Sequence, residues 1–293
     1  MGSNTLTNVA ALGLECGEAP LWVPEEGCLY FVDTENRTLY SYTPHGGRIK
    51  KFPVPFQFHC IARREKGGWI GTAVRGVALW DPGDSSCIFL GNPEPHDSSM
   101  LFNDGTVTPE GDFVFGTYDV EHLEEPRGNL YLVDENLDIH RLEEGFAVPN
   151  GMAFGPDGTS FFISEQFGQR VLRFDWDPRE KKLKNREVFA EFSDDQGLPD
   201  GLIIDNEGYI WVAHWQGWRV TRFDPSGAID KEIKLPVATA TSLAFAGKNL
   251  DQLYITTARK CVEVRDLKRG PEAGDLFHFE PGCTGRLENF FQG

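Results

Sequence analysis

Six polar residues recur along the chain at near-even intervals: Glu18, His59, Asn103, Asn150, Asp200 and Thr241, separated by 41, 44, 47, 50 and 41 residues. Each opens a short, mainly apolar run. Two carboxylates and two carboxamide carbonyls are hard oxygen donors, the type that Ca²⁺, Mg²⁺ and similar ions take. Brought to one place, they would hold a divalent cation and leave positions open for a substrate. The same groups would also be satisfied by hydrogen-bonding one another and trapped water, which would plug a pore. Both arrangements avoid the roughly 1–3 kcal/mol that each unpaired buried polar group costs. Residue types alone leave both open.

The elements that must carry these residues are legible as repeats. Asn103–Gly111 (NDGTVTPEG), Asn150–Gly158 (NGMAFGPDG) and Asp200–Gly208 (DGLIIDNEG) align without gaps: a polar residue, an apolar run, and a turn closing on glycine. A second apolar run follows each one, DFVFGTY, TSFFISE and YIWVAHW, as in a β-hairpin. Alternating third strands stand behind two of them, QRVLRFDWDP and WRVTRFDPSG. Looser copies begin at Glu18 (EAPLWVPEEG), His59 (HCIARREKGG) and Thr241 (TSLAFAGKNL). A period of roughly 40–50 residues holding three or four strands is that of propeller blades, and no helical period competes with it. The expected fold is all-β, a six-bladed β-propeller with a metal site in its central channel, as one domain over residues 1–293. The first strand of each blade would line the channel, so the six opening residues would form one ring. A terminal strand must close such a ring, and either TNVAALGLE or RLENFFQ could supply it.

At these positions the sequence resembles the SMP-30/gluconolactonase/luciferin-regenerating (regucalcin-like) family. The matching stretches are GEAPLW, LYFVDTENRTLYSY, FNDGTVTPEGDFVFGT, PNGMAFGPDG, GLPDGLIIDNEGYIWVAHWQGWRVTRFDPSG and LYITTAR, which fall in five of the six units. The family's fold is a six-bladed propeller, in agreement with the repeat count. The resemblance implies a metal held by Glu18 of GEAP, Asn150 of PNG and Asp200 of PDG. It implies that Asn103 of FNDG touches substrate or a bound water, and that Glu121 of GTYDVE contacts substrate. Its reaction is lactone hydrolysis, with Asp200 as general base. Such a metal would polarise the lactone carbonyl and lower the pKa of water, and three protein ligands leave room for both. The ligand set favours Ca²⁺, with Mg²⁺, Mn²⁺ or Zn²⁺ as other occupants. A calcium-binding regulatory propeller with little or no turnover is the alternative reading. No GxSxG elbow or Ser–His–Asp order points to a covalent serine route.

One departure bears on the substrate. Relatives often place arginine two residues before the FNDG asparagine, and this chain has Leu101 there. Without that guanidinium fork a bidentate anchor for substrate oxygens is lost, and a less polar lactone is favoured. His59 is the one histidine of the six. It reads either as a proton shuttle or substrate donor, or as a hydrogen-bonded filler, the commoner role, and it stays among the substrate-facing candidates. His214 reads as a rim residue, Trp215 and Trp218 as core packing, and Asp119–Glu125 as a lid or a solvated loop.

Composition sets the outer limits. A net charge of −17 repels polyanions and argues against nucleic-acid or anionic-membrane partners. Six scattered cysteines without a CxxC pair suggest small buried hydrophobes ahead of a disulfide framework. The first 20 residues lack a basic region followed by an apolar one, and no apolar run has membrane-spanning length. The expectation is a cytoplasmic protein, monomeric or weakly self-associating, that acts on a small-molecule lactone.

Overall fold

The computed structural model describes residues 5–82 and 87–293. Its strands form six four-stranded antiparallel sheets, the blades. The first blade is β2 (Gly17–Val23), β3 (Cys28–Asp33), β4 (Thr38–Thr43) and β5 (Arg48–Pro53). The second is β6 (Phe58–Arg63), β7 (Trp69–Ala73), β8 (Gly76–Trp80) and β9 (Cys87–Gly91). The third is β10 (Met100–Val107), β11 (Phe113–Asp119), β12 (Gly128–Val133) and β13 (Ile139–Phe146). The fourth is β14 (Pro149–Phe154), β15 (Ser160–Glu165), β16 (Arg170–Asp177) and β17 (Lys182–Glu191). The fifth is β18 (Leu198–Ile204), β19 (Ile210–Trp215), β20 (Arg219–Phe223) and β21 (Ile229–Lys234). The sixth is β22 (Ala240–Ala246), β23 (Gln252–Thr257) and β24 (Leu276–Phe279), completed by the N-terminal β1 (Thr7–Ala10). This serial topology is that of an all-β six-bladed propeller.

Two repeated local devices explain the sequence pattern. The first is the turn between the leading strand and its neighbour, where Gly111, Gly158 and Gly208 hold φ of 92°, 69° and 81°. Only glycine takes that left-handed conformation without steric cost, so each repeat closes on it. The second is a break in register on every leading strand, at Glu18/Leu21, Phe58/Cys60, Phe102/Gly105, Asn150/Met152, Pro199/Leu202 and Ala240/Ser242. The polar opening residues lie at these breaks. A bulge bends the strand and re-aims a side chain, so a polar residue there can leave the alternating core pattern without inverting the rest of the strand.

By its internal contacts the chain divides into two units, one running to Pro53 and resuming at Phe192–Leu287, the other Val54–Glu191 with Glu288–Gly293. Within the first, Trp211 and Ile233 of the fifth blade pack on Leu243 and Phe277 of the sixth, while Tyr254 and Leu276 pack on Phe31 and Tyr42 of the first. Within the second, Ile70 and Leu79 of the second blade meet Phe102 and Phe113 of the third, whose other face sets Val114 and Leu132 against Phe161 and Phe174 of the fourth. Each such large side chain contributes about 1.5–3 kcal/mol by leaving water. The choice of closing strand falls to Thr7–Ala10, paired with β24. Residues of RLENFFQ instead join the second unit, where Phe291 is fully buried against Phe113 and both Arg64 Nε and Nη2 donate to the Gly293 carbonyl. All six cysteines are free. Among the described residues no helix is long and apolar enough to cross a membrane.

Candidate functional site

In the unit built from the fifth, sixth and first blades, Asp200 is buried at the bulge of β18 and Glu18 is half-buried at the bulge of β2. Gly201 of PDG is required by close approach, since a Cβ there would lie 2.5 Å from Ser242 Oγ on β22. Both carboxylates act on one group. Burial drives the Cys16 thiol well above its usual range, and the charges of Glu18 and Asp200 push it further. Thr241, fully buried on β22, donates its hydroxyl to the carbonyl of Gly17, the residue before Glu18.

The unit built from the second, third and fourth blades carries the other three opening residues. His59 Nδ1 donates to the Phe102 carbonyl at 2.7 Å, just before Asn103. Asn103 Nδ2 donates to the Pro149 carbonyl at 3.0 Å, just before Asn150. Asn150 is buried, its Oδ1 accepting the Gly151 amide at 3.1 Å and its Nδ2 directed to Gln166 Oε1 at 3.4 Å.

A pattern emerges from these contacts. Thr241, His59 and Asn103 each donate to the carbonyl that precedes the next blade's opening residue. An ionised carboxylate has no donor and cannot make that bond. Glu18 and Asp200 therefore break the structural pattern at equivalent places, and what they add is negative charge and oxygen lone pairs. That donor chemistry fits a hard divalent cation. Among the described residues no three His, Cys, Asp or Glu side chains are grouped as a metal site by themselves.

A profile of the SMP-30/Gluconolactonase/LRE-like region matches residues 16–259. The chain belongs to that family. A pentonolactonase, XacC of Haloferax volcanii, is 32% identical to it over 292 residues, 97% of each chain. The solved structure of a luciferin-regenerating enzyme superposes with a TM-score of 0.91 at 27% identity, covering 99% of this chain and 100% of that one. A regucalcin from Agrobacterium tumefaciens, described as a calcium-binding protein, superposes with a TM-score of 0.88 at 25% identity, covering 97% and 96%. The SMP-30/gluconolactonase-like fold thus extends over the whole described chain.

Leu101 pairs with Tyr118 and is half-buried. Its neighbour Phe102 goes wholly into the core, so alternation puts Leu101 on the opposite face of β10. Glu121 is exposed just beyond β11, whose end lies beside the start of β10. The Asp119–Glu125 loop is tied down through buried Asp119, which accepts the Glu121 amide at 2.9 Å, His122 Nδ1 at 3.0 Å and Arg127 Nη1 at 3.0 Å. Burial would raise the Asp119 carboxyl, but these donors and Ser99 outweigh it and hold it at about 2. Trp215 and Trp218 are half-buried, outside the core, and Arg269 stacks over Trp218 at 4.0 Å.

His214 is not a rim residue. It is fully buried, its Nδ1 donates to the Gln196 carbonyl at 2.7 Å, and its ring meets Phe192 edge-on at 5.1 Å. Burial depresses its pKa to about 4. Sequence reasoning also missed Asp104, inside the FNDG motif itself, whose carboxyl burial raises to about 6 against hydrogen bonds from the Gly105 amide and Cys60. Two further buried acids, Asp33 and Glu165, were missed because each ends a second strand, where a lone polar letter looks like the start of a turn.

Proposed function

We propose that the protein is a divalent-metal-dependent lactonase that opens a small sugar lactone to its hydroxy acid. The observation that carries this reading is the substitution of two acceptor-only carboxylates, Glu18 and Asp200, into a set of positions where neighbours donate hydrogen bonds. The 32% identity to a pentonolactonase supports the reaction class, and the likeness to a calcium-binding regucalcin supports the cofactor. Glu18, Asn150 and Asp200 would hold the ion, Ca²⁺ first, with Mg²⁺, Mn²⁺ or Zn²⁺ as alternatives. When bound, the ion supplies polarisation of the lactone carbonyl and a lowered pKa for water.

The chain's own groups do the rest. Asp200 takes the proton of the attacking water as the C–O bond forms. The tetrahedral adduct then expels the ring oxygen, which leaves with a proton as the hydroxyl of the product. Asn103 and Glu121 orient the substrate, with His59 beside Asn103 through the Phe102 carbonyl. Leu101 presents a hydrocarbon face where relatives of the family often offer a guanidinium, so the group packed there is a less oxygenated part of the lactone. Six free cysteines suit a reducing cytoplasm.

The test is a lactone panel read by acid release on chelated protein, with Ca²⁺, Mg²⁺, Mn²⁺ and Zn²⁺ restored one at a time. Turnover that vanishes on chelation and returns with one ion is the expected result. Calcium binding without turnover on any lactone would replace this reading with that of a regulatory calcium-binding propeller.

A further inference from the structure

The residues paired with the positions just before Glu18, Asn150 and Asp200 share a feature that their identities hide. Gly17 pairs with Asp33, Pro149 with Glu165 and Pro199 with His214, each partner at or next to the end of its blade's second strand. All three partners are about 1% exposed or less. Each reaches across to the backbone that leads into the ligand-bearing strand. Asp33 accepts the Glu15 amide at 3.2 Å and the Cys16 amide at 3.3 Å. Glu165 Oε1 accepts the Ala147 amide at 3.0 Å, while Arg170 binds its other oxygen. His214 donates to the Gln196 carbonyl at 2.7 Å.

Among the described residues, the positions that match in register in the other three blades lack this arrangement. The matching residue is Ala73 in the second, which has no polar side chain, and Thr117 in the third. Thr117 bonds chiefly within its own sheet, to the backbone of Asn129, and meets Glu94 only at 3.5 Å. In the sixth it is Thr257, whose hydroxyl donates to Asp275, on the segment leading to β24 and not to β22. The anchored blades are thus the three whose leading strands carry the proposed metal ligands.

On the reading given above, we infer that Asp33, Glu165 and His214 are positioning residues that fix the strand starts bearing Glu18, Asn150 and Asp200. A strand start is where the chain arrives from a loop, and ladder bonds alone hold it from one direction. Metal ligands need placement to within about 0.5 Å, which demands a second restraint. At the fifth blade the fit is tight: a Cβ on Gly217 would lie 2.1 Å from the Gln196 carbonyl oxygen and 2.5 Å from His214 Cβ. The cost is visible too. His214 Nε2 is buried with no hydrogen-bond partner among the described residues, a penalty a merely space-filling residue would not carry.

The experiment compares apolar and conservative variants by calorimetric titration with Ca²⁺ alone, beside kcat on the best lactone and thermal melts. Asp33→Leu, Glu165→Leu and His214→Phe remove the backbone bond, and each should weaken Ca²⁺ binding roughly ten- to a hundredfold. Asp33→Asn, Glu165→Gln and His214→Asn keep an acceptor or donor at the same place and should stay within about threefold of wild type. Thr257→Val, from an unanchored blade, should lower the melting temperature and leave Ca²⁺ affinity unchanged. If an apolar variant does not fold, His214→Gln, which shifts the donor by one bond, takes its place and should also bind more weakly. Folded variants without the backbone bond that bind Ca²⁺ like wild type would overturn the inference, as would a matching loss of affinity in Thr257→Val. Wild-type protein that binds none of the four ions would instead remove the metal reading beneath it, a result seen before any variant is made.

Discussion

The second and fifth blades are built on one plan and differ where it matters. Both run four strands in order, and both break register at the residue that opens the leading strand, His59 in one and Asp200 in the other. The second strand then ends on Ala73 in the second blade, while in the fifth His214 sits one residue from its end. Their outermost strands differ as well: β21 reads IDKEIK, but β9 reads CIFLG and leaves Ile88 and Phe89 exposed to 64% and 50%. Charged edges resist strand addition by other chains, and β9 lacks that protection. The shared bulge therefore belongs to the fold, because it appears whatever residue sits in it. Acidic charge and a buried anchor belong to particular blades, and the proposed function rests on those.

The sharpest way to break this comparison is to neutralise the acidic blade. Asp200→Asn should lower kcat by about 10²–10⁴, with a smaller loss of Ca²⁺ affinity because an amide oxygen still ligates. His59→Asn, which keeps a donor for the Phe102 carbonyl, should cost less than about tenfold. Equal losses from the two would mean that the bulge position, and not its chemistry, decides activity. Turnover near wild type in Asp200→Asn would assign the proton to another acceptor.

A second test concerns substrate choice at the third blade, where Leu101 lies on the face of β10 opposite Phe102. Leu101→Arg should favour a polyhydroxylated aldonolactone over an apolar γ- or δ-lactone. A regained charge-assisted bond is worth about 1.5–3 kcal/mol, so the ratio of kcat/KM should move roughly ten- to a hundredfold. Melts recorded alongside separate this from lost stability, and an unchanged ratio in a folded variant would remove Leu101 from the specificity account.

The smallest effect is on stability in acid. The folded state holds His214 at about 4, below the ordinary 6.5, so the unfolded chain takes up that proton first as pH falls. The stabilisation is complete above the ordinary value and is lost between about pH 6.5 and 4, on the order of 1–3 kcal/mol. Urea midpoints of wild type and His214→Phe should therefore diverge at pH 7 and approach each other near pH 4. Parallel lines across that range would show that His214 is not held neutral by burial. Ala73 gives the second blade no such dependence.

Much of this plan can be read from the sequence because the fold imposes recurring letters. A left-handed turn demands glycine at 111, 158 and 208, and the bulge tolerates polar residues at the opening positions. The family motifs add the rest of the candidate ligand set. The anchors stay hidden because an aspartate, a glutamate and a histidine perform one task, two by accepting from amides and one by donating to a carbonyl. Alignment by residue type cannot see a shared backbone bond. His214 looked like a rim residue because it stands one position from the end of its strand, yet register with Pro199 draws it inside. Two terminal segments both alternated well enough to close the last blade, and only partner choice separates Thr7–Ala10 from the tail that buries Phe291.

That closure also has a consequence in time. Thr7–Ala10 leaves the ribosome long before its partner Leu276–Phe279. At about 5–20 residues per second the early strand waits roughly ten to fifty seconds for a neighbour. During that interval the sixth blade does not exist, and the first blade lacks the Tyr254 and Leu276 side chains that will cover Phe31 and Tyr42. The first and last strands of the fold are thus joined by a contact of high sequence separation, the kind that makes folding slow however stable the product. A circularly permuted chain opened between β1 and Glu15, with Thr7–Ala10 carried downstream of β24, would keep the Asp33 bonds to Glu15 and Cys16 and abolish that wait.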